Sequence, residues 1–406
     1  MANQLFLNKQ PILDGKQNLY GYLLSMETMG DGVVPAGQWA KEIKTFCAGI
    51  EKNVGVANLT AGKPAFYKVP AQFLRLDLLP KIEPLSSLTV EVTSDVLKDK
   101  ESLTALKEII QAGVKVAIDD YEPTEANDKL LSLAKIVKID AHKWSVDQVT
   151  DMVSTLKQKQ VTVVITGLET VEQFEDYLVC SADCFQGFFF TNPIFSSEKA
   201  LSNNKLAMLK LLAEVNDPDI TFEQIAQTVS TDVGLTHKLL SAINHPSTGI
   251  SHQVETLKDA VNYMGLKRLK FWVNMMMLSS MEDVPTELLV AALVRAKFLE
   301  GMAEKMNLES EKDRYFMAGL FSTLNAFLKI PMADVVDQLP LSQEVKDALV
   351  DQSGEMGRVI WVVRALEQGN TRIDIPGRES IDLMVISSAY MAANGWAYKT
   401  IASLNG

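Results

Sequence analysis

Eight polar side chains stand where the apolar runs of this sequence end: Gln10, Glu91, Asp119, Asp120, Lys138, Asp140, Glu169 and Gln186. The densest group is VKVAIDDYEP (114–123), where an apolar run stops at two adjacent carboxylates and a proline turn follows. Hard divalent cations such as Mg²⁺ and Mn²⁺ take several oxygen ligands. Two such ions can activate a water and neutralise a leaving oxygen, and a lysine can stabilise the charge that develops. Gathered at one mouth, this set suits metal-assisted hydrolysis of a phosphate ester. A plainer role competes at each position taken singly, because acids and lysines at loop starts also cap helices or pair with one another.

The elements that must position these groups alternate in the first half. The runs LFLNKQPIL and LYGYLLSM flank DGKQN and read as a hairpin. Six further strand-like runs follow: PAFYKV (64–69), SLTVEVT (87–93), VKVAIDD (114–120), AKIVKID (134–140), VTVVITG (161–167) and CFQGFFF (184–190). Several are almost wholly apolar, as in parallel strands buried on both faces. Helical stretches separate them. KESLTALKEIIQAG carries Leu103, Leu106, Ile109 and Ile110 at helical spacing and ends at Gly113, and SVDQVTDMVSTLKQKQ is a second such stretch. Repeated strand–helix units imply a parallel sheet, barrel or doubly wound. No glycine-rich dinucleotide or Walker loop follows any strand, which counts against a nucleotide cofactor. Polar groups at the strand C-terminal ends favour the α/β answer of a TIM-like (β/α) barrel.

After about residue 200 the strand rhythm stops. TNPIFSSEKALSNNK (191–205) reads as a linker, dividing the chain into domains 1–195 and 196–406. The second is expected to be all-α. Thr221 with Gln224 forms a capping-box pattern, and Leu288, Ala292, Leu299, Met302 and Met306 fall on one stripe. With 406 residues, 47% hydrophobic and 22% charged, the composition is that of a soluble globular protein. The net charge of −12 argues against a broad nucleic-acid or anionic-membrane surface. No apolar run reaches the roughly 18 residues of a membrane span, and the N-terminus lacks the pattern of a signal peptide. Three cysteines, Cys47, Cys180 and Cys184, suit a reducing cytoplasm. Cys180 and Cys184 lack further soft ligands nearby for zinc and are expected in the core.

The blocks KQPILD, VEVTSD, AIDDYEP, IVKIDAHK, TGLETVEQF and FQGFFFTNP resemble, in order, the signature blocks of bacterial EAL domains. These are TIM-barrel phosphodiesterases that hydrolyse the second messenger cyclic di-GMP with Mg²⁺ or Mn²⁺. LLAEVNDPDITFEQIAQTVSTDVGLTHKLLSAINHPSTG and ETLKDAVNYMGLKRLKFWVNMM resemble the HDOD domain, an all-α relative of HD phosphohydrolases. The resemblance implies a two-domain bacterial signalling protein, and pairing of its barrels implies a homodimer.

The same resemblance shows departures. Aligned on GYLLSME, the metal-binding Glu of the family's naming motif falls on Leu23 and its phosphate-contacting Arg on Glu27. The metal-binding Asn of the next strand falls on Tyr67, and a further metal-binding Glu falls on Thr166. Leucine offers no oxygen and tyrosine only a bulky neutral phenol. Glu91, Asp119, Asp120, Lys138 and Gln186 remain, with Glu91, Asp119 and Asp120 as a weak cation site at most. The chain's four histidines, His142, His237, His245 and His252, are each followed by a residue other than Asp, so the second half has no His-Asp pair. Ser322 and Thr323 fall in the metal-binding places. Trp272, beside Lys267, Arg268 and Lys270, offers either a basic-aromatic contact face or core packing under a solvated face. Met275 to Met277 would form an adaptable surface if exposed. The expectation is a non-catalytic signalling protein that works through protein–protein contact and needs no cofactor. The alternatives are a cyclic di-GMP receptor without hydrolysis and, third, an active phosphodiesterase.

Overall fold

A computed structural model of the chain describes residues 4–29, 40, 44, 55–68, 71–193, 203–217, 219–230, 233–245, 252–281, 284–369 and 383–405. β1 (Gln4–Asp14) and β2 (Leu19–Met29) pair antiparallel. The Asp14 carboxylate closes the reversal by accepting from the backbone N–H groups of Lys16 and Asn18, each at 2.8 Å. This is an Asx-type turn, and Gln17 takes a left-handed φ of 62° to complete it. β3 (Ala65–Lys68), β4 (Leu88–Val92), β5 (Lys115–Ile118), β6 (Ile136–Asp140), β7 (Thr162–Thr166) and β8 (Cys184–Gln186) then follow in parallel register from β2. β8 closes on β1 with Ile12 opposite Gln186, giving a closed eight-stranded barrel whose first strand runs against the rest.

Closure buries one inner layer of side chains. Ile12, Leu23, Phe66, Ala117, Ile136, Val164 and Cys184 form a single apolar cluster. Burying a Leu, Ile or Phe fully is worth about 1.5–3 kcal/mol, so this layer is a large share of the barrel's stability. Strand side chains alternate faces, so the residue two positions nearer the mouth on each strand also points inward. Cys184 packs in this layer, and burial pushes its thiol up to about 12, so it stays protonated at neutral pH. Cys47 lies outside the described residues.

The helices between strands start where capping side chains stand. Asp99 accepts from the N–H groups of Glu101 and Ser102 and opens the helix Lys100–Gln111, which buries Leu106 and Ile109. Ser145 with Gln148 and Thr170 with Gln173 form complete capping boxes for Val146–Gln158 and Val171–Leu178. The expected strand 184–190 is shorter. It stops at Gln186 because Gly187 (φ 144°) passes so close to the Leu168 carbonyl that a Cβ would sit 2.0 Å from the oxygen, and Phe189–Thr191 then coils into a 3₁₀ turn.

The chain forms two compact units. The first is Met1–Asn192 with Val362–Met391, and the second is Pro193–Trp361 with Ala392–Gly406. Of the expected linker 191–205, residues 194–202 lie outside the described residues. The second unit is helical. Its helix Thr286–Lys305 buries Leu288, Ala292, Leu299 and Met302, with Met306 just beyond, as the stripe predicted. It meets Lys312–Phe321 at Gly319, where a Cβ would lie 2.5 Å from the Arg295 carbonyl. The Thr221–Gln224 pair makes both hydrogen bonds of its capping box. Trp272 and Met275 to Met277 are buried, while Lys267 pairs with Asp313 and Lys270 donates to the Asp217 carbonyl, so this stretch packs in the core. No helix among the described residues is long and apolar enough to cross a membrane.

Candidate functional site at the barrel mouth

The polar groups converge at the C-terminal ends of β2 to β8, where β1, running the other way, brings in its N-terminal half. On each strand the inner apolar residue is followed two places on by a mouth residue. Ala117 leads to Asp119, Ile136 to Lys138 and Asp140, Val164 to Thr166, and Cys184 to Gln186. Ile12 leads back to Gln10 and Asn8, and Glu91 is the register partner of the inward Ala117. Of the eight sequence-selected residues, Gln10, Glu91, Asp119, Lys138, Asp140 and Gln186 thus share the inner face of one end.

Four charged groups sit at its centre. Lys138 donates to Glu91 in an ion pair whose side chains are 1% and 0% exposed, and its ammonium lies 5.6 Å from the centre of the Phe66 ring. Lys68 pairs with Asp119 at 2.7 Å. Burial raises the Glu91 carboxyl above its usual range, against the pull of Lys138 and with the Asp119 charge adding to the rise. Burial acts on Asp119 in the same sense, yet Lys138 and Lys68 outweigh it and hold that carboxyl below its usual range. Glu91 Oε2 is buried with no hydrogen-bond partner.

Gln186 donates from Nε2 to Gln10 Oε1 at 2.8 Å, leaving its own Oε1 buried and unpartnered, as is Asn8 Oδ1. Gln10 Nε2 donates to the carbonyl of Glu367, and Arg364 donates to Asn192 Oδ1, so residues from the returning segment of the first unit reach this side of the barrel.

Asp120 and Glu169 are turned away from the mouth, and the remaining groups on the inner face find partners nearby. Asp120 takes a left-handed φ of 52°, which swings its carboxylate toward Lys143, itself 3.5 Å from Glu122. The peptide is fixed there because Asp119 N–H bonds to the Val92 carbonyl and Tyr121 N–H to that of Lys138. Asp140 accepts from the backbone and ring of His142. Glu169 is exposed beside the Thr170 cap. Thr166 bonds to the Ile139 carbonyl at 3.4 Å, and Leu23 lines the barrel beside Phe66.

Tyr67 requires a correction. Phe66 belongs to the inner cluster and Lys68 reaches Asp119, so alternation puts Tyr67 on the outer face of β3. The mouth position on that strand is held by Lys68, which the motif alignment missed by one residue. Counting by twos from the apolar Phe66 would have found it. The side chain of Glu27 lies outside the described residues.

A divalent metal does not fit these residues. Among the described residues no three His, Cys, Asp or Glu side chains converge on one point, and the two carboxylates nearest the centre each already face an ammonium. In the second unit, Ser322 accepts from Arg295 through its carbonyl at 3.3 Å, and Thr323 bonds to the Leu320 carbonyl. His237 is exposed.

Comparison with known proteins agrees with this architecture. Residues 68–193 match the EAL domain model and residues 204–340 the HDOD domain model. The chain therefore carries an EAL domain followed by an HDOD domain. The EAL match begins at the end of β3 and leaves out β1 and β2, the strands that hold Gln10 and Leu23. The chain is similar to the cyclic di-GMP phosphodiesterase CdgJ of Vibrio cholerae, 26% identical over 370 residues, which are 90% of this chain and 85% of that one. It is also similar to the protein YuxH of Bacillus subtilis, 22% identical over 404 residues, 97% of this chain and 98% of that one. Among solved structures, the EAL domain of Mycobacterium smegmatis DcpA matches at 22% identity over 46% of this chain and 91% of that one, with a TM-score of 0.36.

Proposed function

We infer that this chain is a cyclic di-GMP signalling protein whose barrel does not hydrolyse the messenger and which acts through contact with other signalling proteins. The likeness to CdgJ supports the signalling context. The observation that carries the loss of hydrolysis is the central charge set: Glu91 and Asp119 face Lys138 and Lys68, and Leu23 brings no oxygen to the barrel wall beside them. In-line attack on a phosphodiester needs an activated water and a neutralised leaving oxygen. Two internally paired carboxylates supply neither. The test is incubation of the full chain with cyclic di-GMP and Mn²⁺. The nucleotide is expected to stay intact, and turnover that disappears in Asp119→Asn would overturn the reading.

A second reading, reception of cyclic di-GMP without hydrolysis, is favoured by one observation. Gln186 Oε1 and Asn8 Oδ1 are buried at the mouth without partners, and unpaired amide oxygens there could accept from a guanine N–H. Calorimetry with cyclic di-GMP and no metal separates the two. One-site binding at micromolar affinity that weakens in Gln186→Ala selects the receptor, and absence of heat selects contact alone.

A further inference from the structure

We propose that Lys68 is a resident cation of the barrel mouth, its ammonium holding the carboxylate that a divalent ion would otherwise bridge, so that one substitution at this position opens the site to metal. The proposal rests on the reading above and supplies its physical cause.

Geometry and charge carry it. Lys68 stands opposite Glu91 in the β3–β4 register and reaches across to Asp119 Oδ2 at 2.7 Å. Asp119 is 13% exposed while Lys68 is 54% exposed, so the lysine approaches from the solvent side and covers the carboxylate. Lys138 holds Glu91 from within the barrel. Among the described residues the two carboxylates and two ammonium groups sum to zero, and each lysine competes for the oxygens a divalent ion would need. The arrangement nonetheless keeps one donor in reserve. Glu91 Oε2 is buried without a partner, and the charges of Glu91 and Asp119 act on each other directly.

Removing the Lys68 ammonium changes both terms at once. The described charges then sum to −1, and Asp119 Oδ2 loses its ammonium while Glu91 Oε2 is already without a hydrogen-bond partner. Lys68→Asn adds an amide oxygen at the mouth position of β3, next in register to Glu91 on β4. Lys68→Ala frees Asp119 without adding a donor.

The experiment is Mn²⁺ titration of the full chain, followed by calorimetry and by the electron spin resonance of free Mn²⁺ at neutral pH. The wild type is expected to show no stoichiometric site. Lys68→Asn is expected to bind one Mn²⁺ at least tenfold more tightly than the wild type, Lys68→Ala less tightly than Lys68→Asn, and Lys68→Asn/Asp119→Asn not at all. Stoichiometric Mn²⁺ binding by the wild type that is lost in Asp119→Asn overturns the proposal. So does a failure of both Lys68 variants, shown folded by circular dichroism, to exceed the wild type. If Lys68→Asn does not fold, Lys68→Ala alone decides. Wild-type Mn²⁺ binding without turnover would sink this proposal and leave the functional reading standing, whereas turnover without an Mn²⁺ site would do the reverse.

Discussion

Lys138 and Glu91 are buried charges whose value lies in their pairing. Taking two charges out of water is expensive, and their attraction repays it only while both are present. Lys138→Met should therefore cost about 3–5 kcal/mol in urea unfolding, because it strands a buried carboxylate. The double variant Lys138→Met/Glu91→Leu should recover most of that loss, since neither charge then has to be buried. Asp119 behaves differently because it is held charged. Its folded carboxyl lies below the usual Asp value of about 3.9, so its contribution is complete above about pH 5 and is lost as pH falls through the folded value. The stability difference between wild type and Asp119→Asn should accordingly shrink as the pH is lowered from about 5 to about 2, measured by urea unfolding at each pH. A difference that grows in acid would mean that the Lys68 and Lys138 charges do not act on this group.

Elements are placed here by a few local devices, and each can be probed singly. Asp99 caps Lys100–Gln111 with two backbone bonds, so Asp99→Ala should cost about 1 kcal/mol in unfolding free energy. Gly319 has no room for a side chain where two helices cross, so Gly319→Ala should cost about 1–3 kcal/mol by forcing them apart. Such devices also mark how far sequence reading reaches. Each of the six later strand-like runs formed a strand because β-branched, apolar runs bounded by polar turns fit a sheet buried on both faces. The one-residue slip at Tyr67 had a physical origin: alternation turns an error of one into an error of face, and a short strand with apolar residues on both faces gives little pattern to fix it. CFQGFFF read as one long strand because its aromatics carry strand propensity, while the close approach of Gly187 to Leu168 is a contact between distant segments.

At the scale of the whole molecule, Val362–Met391 groups with Met1–Asn192 in the first compact unit. Nothing in its composition separates it from the helical residues before it. Its tie is made through single bonds, such as Gln10 to the Glu367 carbonyl and Arg364 to Asn192, between residues far apart in the chain. A fragment ending at residue 195 should therefore unfold at lower urea than the first unit in the full chain, followed by amide hydrogen exchange in the strands β3 to β8. An unchanged midpoint would mean that the returning segment adds no stability to the barrel.

The amino-acid sequence by itself determined the order of strands and helices, the change from strand–helix units to helices alone, and the set of polar residues at the strand ends. All of these follow from periodicity, capping chemistry and the two resemblances, which are local or linear properties of the chain. Only the tertiary structure decided which of those residues face one another. Barrel closure brought Lys68 to Asp119 and Lys138 to Glu91, while a left-handed turn carried Asp120 away to Lys143. The reason is geometric: whether a carboxylate meets a lysine or stays open to a metal depends on register and strand face, which are set where distant strands join.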